Sequence, residues 1–225
     1  MPVDKGRYQR LVGSLIYLSH TRRDIAYAVR MVSQSMHSPL ECHMNAFFRI
    51  LRYLKSTPGK GLLFSKNNHL RVEAHTNADW VGSITDRRST SGYCTFVGNN
   101  LITWRSKKQY VVVRSSAKAK FRVMALGICE LIWLKGLLRE LQVNLENPMR
   151  LYCDNKAAIS IAYNSVQHVE IDRHFIKEKI DSGLISTLLV TSKLQLVDVF
   201  TKGVQNLTFN SMVNKLGMED IFEPA

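Results

Sequence analysis

The chain is short of acid. Its 225 residues carry 18 Asp and Glu against 31 Lys and Arg, a net charge of +13. A surplus of that size favours polyanions, with nucleic acid as the first candidate beside a merely soluble basic protein. The excess is densest early, where residues 1–70 hold eleven Lys and Arg against Asp4, Asp24 and Glu41. Cysteine is scarce too. Cys42, Cys94, Cys129 and Cys153 lie far apart with no CxxC pair, which argues against a zinc module and against a disulfide framework. Free thiols in a reducing compartment are expected. No apolar run approaches the roughly 20 residues that span a bilayer. The first residues, Met1-Pro2-Val3-Asp4-Lys5-Gly6, lack the apolar core of a secretory signal. A cytoplasmic or nuclear, non-secreted protein with no membrane partner is the expectation, and the scattered basic residues form no clear import signal. There is no internal repeat and no low-complexity tract.

What is present is patterned. Residues 7–57 read as helical: Leu11, Leu15, Ile16 and Leu18, then Ile25, Ala26, Val29 and Val32, recur at helical spacing. Thr21 with Asp24, and Ser38 with Glu41 after Pro39, fit the capping-box pattern. The segment Thr57-Pro58-Gly59-Lys60-Gly61 stops the third helix. The period then changes. Residues 70–75, 92–97 and 101–105 read as a three-strand antiparallel meander with turn residues between. Ser115 or Ser116 caps a long helix to about Leu141, and Asn147-Pro148 breaks it. A strand over 149–153, a short helix over 156–163, a helix over 170–180, a strand over 184–190 and helices over 196–202 and 207–216 follow.

Three segments stand out: Glu73-Ala74-His75-Thr76-Asn77-Ala78-Asp79-Trp80, Arg114-Ser115-Ser116-Ala117-Lys118-Ala119-Lys120-Phe121 and Leu151-Tyr152-Cys153-Asp154-Asn155-Lys156. With Thr21-Arg22-Arg23-Asp24-Ile25-Ala26-Tyr27-Ala28, Asp86-Arg87-Arg88-Ser89-Thr90-Ser91-Gly92-Tyr93 and Leu196-Val197-Asp198-Val199-Phe200-Thr201-Lys202, they resemble, in order, copia-type retrotransposon Pol polyproteins. Residues 3–64 resemble the end of the reverse transcriptase region, where the family usually has proline at the place of Arg23. Residues 70–202 resemble its ribonuclease H. The resemblance implies an α/β fold, a ribonuclease H-like mixed five-stranded sheet with flanking helices, preceded by a small helical segment. The expected division is 1–66 and 67–225. No Tyr-x-Asp-Asp turn occurs, so reverse transcriptase activity is not expected.

By the same resemblance the site would hold two Mg2+ on four acids, since hard cations take oxygen ligands. Asp154 and Asp198 match the third and fourth. The first acid is Asn77 here, whose amide oxygen could still touch a metal. The second is Lys120, and Lys118 replaces a neighbouring glutamate. Lys120 is read either as an ammonium paired with the remaining aspartates or as a chain snorkelling to solvent. Asp79 is a further candidate ligand, weighed against a solvated turn residue. A shortened loop precedes Glu170, Asp172 and His174, which read as a helix face rather than ligands; His168 and His174 could mimic a two-histidine metal pair, but nothing else supports zinc. Phosphate contacts would come from Arg87, Arg88, Arg105, Lys107, Lys108 and Arg114, with Tyr93 as a possible stacking platform and Trp104 more a core residue than one. The implied partner is an RNA–DNA hybrid or duplex, with no small-molecule cofactor. The expected function is a ribonuclease H that is weakly active or inactive. The alternatives are a non-catalytic nucleic-acid-binding remnant and a decayed product without a role.

Overall fold

The computed structural model describes residues 3–80, 87–110, 112–143, 145, 148–163 and 171–222. It divides into two compact units, Met1–Leu63 with Gln205–Ala225 and Phe64–Val204. Residues 205–225 group with residues 1–63.

The first unit packs α1 (Lys5–Leu18), α2 (Ala26–Ser33) and α3 (Glu41–Ser56). Tyr8, Val12 and Leu15 on α1 recur at spacings of four and three, and meet Val29, Val32, Phe47 and Ile50 in one buried cluster. Helical spacing marks Leu15, Val29 and Val32 among these positions. The capping boxes are not observed. Asp24 is buried in an ion pair with Arg22, and Thr21 Oγ1 donates to the Leu18 carbonyl. Helix α3 starts two residues beyond Pro39, and His43 Nδ1 accepts from the Leu40 N–H (3.0 Å). A short strand β1 (Lys60–Leu62) follows. It pairs antiparallel with β7 (Met218–Asp220), the last strand of the chain, with Gly61 opposite Glu219. Helix α8 (Asn206–Lys215) sends Phe209 edge-on to Tyr53 of α3 (6.4 Å).

The second unit is the expected α/β sheet. Strands β2 (Val72–Asp79), β3 (Thr90–Val97) and β4 (Asn100–Lys108) form the antiparallel meander. Helix α4 (Ser116–Glu140) crosses to β5 (Met149–Cys153), and α5 (Lys156–Tyr163) and α6 (Ile171–Asp181) lead to β6 (Ile185–Leu189). Both β5 and β6 run parallel, giving the order β4-β3-β2-β5-β6. A single-turn helix α7 (Asp198–Thr201) closes the unit. Among the described residues no helix is long and apolar enough to cross a membrane.

Helix α4 is capped by Ser115, whose Oγ accepts from the Lys118 N–H (3.2 Å). It buries Phe121, Met124, Ile128, Leu131 and Leu134 against Ala74, Leu151 and Ile185 of the sheet. Gly127 permits the close approach. A Cβ there would stand 2.5 Å from Thr76 Cγ2 and 3.1 Å from Leu151 Cδ1.

Within β2, His75 is buried and stacked on Tyr152 of β5 (4.6 Å, 17°), with Phe96 edge-on. Burial lowers its pKa to about 4, so the folded protein holds it neutral. The unfolded chain takes up that proton near pH 6.5. Between about pH 6.5 and 4 the unfolded state therefore carries the extra proton, and stability falls as pH falls. The expected loss is up to about 3 kcal/mol, at about 1.4 kcal/mol per pKa unit. Denaturation midpoints followed from pH 7 to 4 should fall less steeply in His75→Phe. Identical slopes in parent and variant would remove His75 as the source.

Candidate active site

The site forms where β2, β5, α4 and α7 meet. The parallel register pairs Thr76 with Cys153. The next residue on each strand is therefore level with the other: Asn77 on β2, and Asp154 just past β5. Strand β5 ends at Cys153, just before Asp154, and β2 continues past Asn77 to Asp79. Lys120 lies one turn into α4. Asp198 opens α7.

The four side chains form two hydrogen-bonded pairs. Lys120 Nζ lies 2.7 Å from Asp154 Oδ1, with the carboxylate side chain 4 % exposed. Ser192 Oγ reaches the other oxygen at 3.4 Å. Asn77 Nδ2 donates to Asp198 Oδ1 (2.6 Å), while Lys202 Nζ lies 2.8 Å from Asp198 Oδ2. Desolvation raises the Asp198 pKa above its ordinary value; Lys202 and Asn77 oppose that, and the Asp154 charge adds to it. The effect of Asp154 on Asp198 is that of a nearby like charge.

Several expectations change in detail. Lys120 pairs with Asp154 and does not snorkel away. Asn77 turns its amide NH2, not its oxygen, toward the cluster, because Oδ1 accepts from the Ala78 N–H (2.8 Å). Lys118 is exposed on the first turn of α4. Strand β2 continues through Asp79, so Asn77 and Asp79 share a face. Among the described residues, however, no three His, Cys, Asp or Glu side chains, Asp79 included, are grouped as a metal would need. His168 and Glu170 lie outside the described residues. His174 is exposed on α6 and Asp172 is partly buried on the same helix.

Of the proposed contact residues, Arg87, Arg88, Arg105, Lys107 and Arg114 are exposed and Lys108 is half-buried. Arg87 adopts a left-handed backbone (φ 52°). Tyr93 cannot act as a platform, because it is buried with its hydroxyl donating to Glu130 Oε2 (2.8 Å). Trp104 is stacked on buried Phe200 (5.0 Å, 26°), as a core-facing residue would be.

Two residues that matter here escaped the sequence reading. Lys202 is one helical turn after Asp198, and i,i+4 spacing was the available signal. Gly92, opposite Asn77 on β3, gave none. A Cβ at Gly92 would stand 2.5 Å from Thr201 Cγ2 and 2.8 Å from Val197 Cγ1. Both neighbours are β-branched and stiff. Gly92 thus lets α7 close on the sheet and seats Asp198. Gly92→Val should cost about 1–3 kcal/mol by overpacking, read by urea denaturation. A cost under about 0.5 kcal/mol, the usual spread of neutral surface changes, would show that α7 tolerates displacement.

The sheet order, with three antiparallel strands, a helix, and two parallel strands each reached through helices, defines a ribonuclease H-like α/β fold. Comparison with known proteins gives the family. The Arabidopsis thaliana retrovirus-related Pol polyprotein from transposon RE2 is 41 % identical over 96 % of this chain. The Nicotiana tabacum Pol polyprotein from transposon TNT 1-94 is 33 % identical over 94 % of it. The chain belongs to the copia-type retrotransposon Pol polyproteins. It spans only 15 % and 16 % of those two relatives' lengths. No protein-family model matches it. Among solved structures, the N-terminal RNase H domain of a Mycobacterium tuberculosis protein aligns with 64 % of this chain and 97 % of its own, at TM-score 0.43 and 10 % identity.

Proposed function

We propose that this chain is a ribonuclease H unit that has lost two-metal hydrolysis and retains the capacity to hold an RNA–DNA hybrid or duplex. Lys120 on Asp154 carries this reading. Two-metal hydrolysis clamps the attacking and leaving oxygens of an in-line displacement between cations about 3.5–4 Å apart. Those cations need several anionic oxygens. Here Asp154 and Asp198 are the two acids of the cluster, and each already carries a lysine partner. Two carboxylates and two ammonium groups sum to zero charge. Asn77 adds an N–H donor that faces Asp198. The donor set does not fit Mg2+, and an ammonium beside Asp154 repels a dication. At about 4 Å and an effective dielectric near 20, that repulsion is about 4 kcal/mol per unit of charge.

Binding does not need the metals. The net charge of +13 and the exposed Arg87, Arg88, Arg105, Lys107 and Arg114 support phosphate contact. Such contact is salt-dependent and nearly blind to sequence. The test is anisotropy with a labelled hybrid, alongside a gel assay in Mg2+. With about four phosphate contacts, affinity should fall about a hundredfold from 50 to 200 mM salt, and the RNA strand should stay intact. Robust Mg2+-dependent cutting that disappears in Asp154→Asn would overturn the loss of hydrolysis. Absence of binding at low salt would overturn the retained capacity to bind.

A further inference from the structure

We propose that a cavity between strands β3 and β4 and helix α4 is a single-nucleotide site, which takes one unpaired base together with its phosphate. The inference goes beyond hybrid binding, because none of Asn77, Lys120, Asp154 or Asp198 lines this cavity.

The cavity arises from strand alternation. Ser91 pairs with Lys107 and Tyr93 with Arg105, so these four side chains share one face of the sheet. That face lies toward α4, because the Tyr93 hydroxyl reaches Glu130 on the helix. Helix α4 supplies an apolar wall from Val123, Ala125 and Leu126. Gln109 closes one end. Its Nε2 donates both to Ser91 Oγ (2.5 Å) and to the Ala119 carbonyl (3.2 Å), which ties the end of β4 to the helix. The space within this open pocket is about 330 Å³, at the small end of the range for ligand pockets and on the scale of one nucleotide.

The chemistry of the lining is divided. The inner surface is largely apolar. Arg105, Lys107, Lys108 and Arg122 contribute four cations, and Asp172 a single acid. Tyr110 stands at the mouth, 74 % exposed, with Lys107 Nζ 4.7 Å from its ring centroid. A large exposed ring beside a cation is what a base stacks on. An aliphatic anion would gain nothing from the apolar wall, and a neutral aromatic would gain nothing from the positive charge. A flat aromatic base with an attached phosphate matches both halves. Two sources share that chemistry: a free nucleoside monophosphate, or an unpaired nucleotide of a strand.

The full chain can be tested by calorimetry against three probes: a deoxyadenosine tetranucleotide, an abasic tetranucleotide with the same phosphates, and AMP. The tetranucleotide should bind at least about tenfold tighter than its abasic counterpart, as expected from stacking of one or more bases. Ala125→Phe, which fills the cavity without changing charge, and Tyr110→Ala should each erase that preference. Arg105→Gln with Lys107→Gln, on the exposed rim, should weaken both probes. Saturable binding of AMP supports the site with a free nucleotide as source; binding of the tetranucleotide alone supports it with a strand. Circular dichroism establishes that each variant is folded. Equal affinity for the base-bearing and abasic probes would overturn the proposal. So would a folded Ala125→Phe that keeps the preference, or an acidic tyrosine-containing peptide of equal charge that binds as tightly as the tetranucleotide.

Discussion

Restoring the acids, with Asn77→Asp, Lys118→Glu and Lys120→Glu in one chain, is expected to make stability depend on Mg2+ and to bring back cutting of an RNA–DNA hybrid. The physical reason is the change at Lys120. In the parent its ammonium lies 2.7 Å from Asp154 and neutralises a carboxylate that is almost wholly shielded from water. A glutamate there converts an attraction of about 4 kcal/mol into a repulsion of similar size. Asn77→Asp removes the N–H that now donates to Asp198 and adds another negative charge beside it. In EDTA the variant should lose roughly 3 kcal/mol, about 6–12 °C in melting temperature for a chain of this size. Mg2+ at a hundredfold above its Kd should restore about 2.7 kcal/mol. Hybrid cleavage should exceed the parent's by at least about a hundredfold and vanish when Asp154→Asn is added. A folded variant whose melting temperature ignores Mg2+ would sink this expectation, whatever its activity. Lys118→Glu alone should change little, because Lys118 is exposed at the start of α4.

The second large effect lies in the helical unit. Asp24→Ala should destabilise it by about 3–5 kcal/mol, the cost of leaving a buried charge without its partner. Asp24 Oδ1 and Oδ2 accept from Arg22 Nε (3.0 Å) and NH2 (2.7 Å). The Tyr53 hydroxyl donates to Oδ2 (2.7 Å), and Arg22 also reaches the Thr57 carbonyl and hydroxyl. The Asp24 side chain has no exposed surface, and Arg22 keeps 8 %. The network ties the α1–α2 turn to the C-terminal end of α3. Thermal or urea unfolding of Asp24→Ala measures the loss. Tyr53→Phe, which removes one hydrogen bond and leaves the ion pair intact, should cost only about 1 kcal/mol. Comparable losses in the two variants would mean that the hydroxyl, not the charge pair, holds the turn.

The sheet was legible because the strands are short, rich in β-formers and separated by turn residues, and because β5 and α5 carry their own boundaries in Asn147-Pro148 and Asp154-Asn155. The site positions were legible through the resemblance to the family's motifs, which marks Asn77, Lys120, Asp154 and Asp198 by their order along the chain and not by the geometry of the sheet. The capping boxes were misread because Asp24 has a stronger buried partner in Arg22 than any helix N-terminus offers. Strands β1 and β7 were missed because three residues are too few for a periodicity. Their pairing, Lys60 with Asp220 through Leu62 with Met218, joins segments far apart in the chain.

The sequence alone determined the order of elements and the excess of positive charge, because these are properties of residue type and local spacing, and its resemblance to the family marked Asn77 and Lys120 as positions where acids are expected. Only the tertiary structure decided that Lys120 folds inward onto Asp154, that Asn77 presents its N–H to Asp198, that Lys202 completes the neutral cluster, and that Gly92 gives α7 room to close. Each of these depends on distances between groups that the chain brings together from afar, where a displacement of a few ångströms separates an ion pair from a solvated side chain.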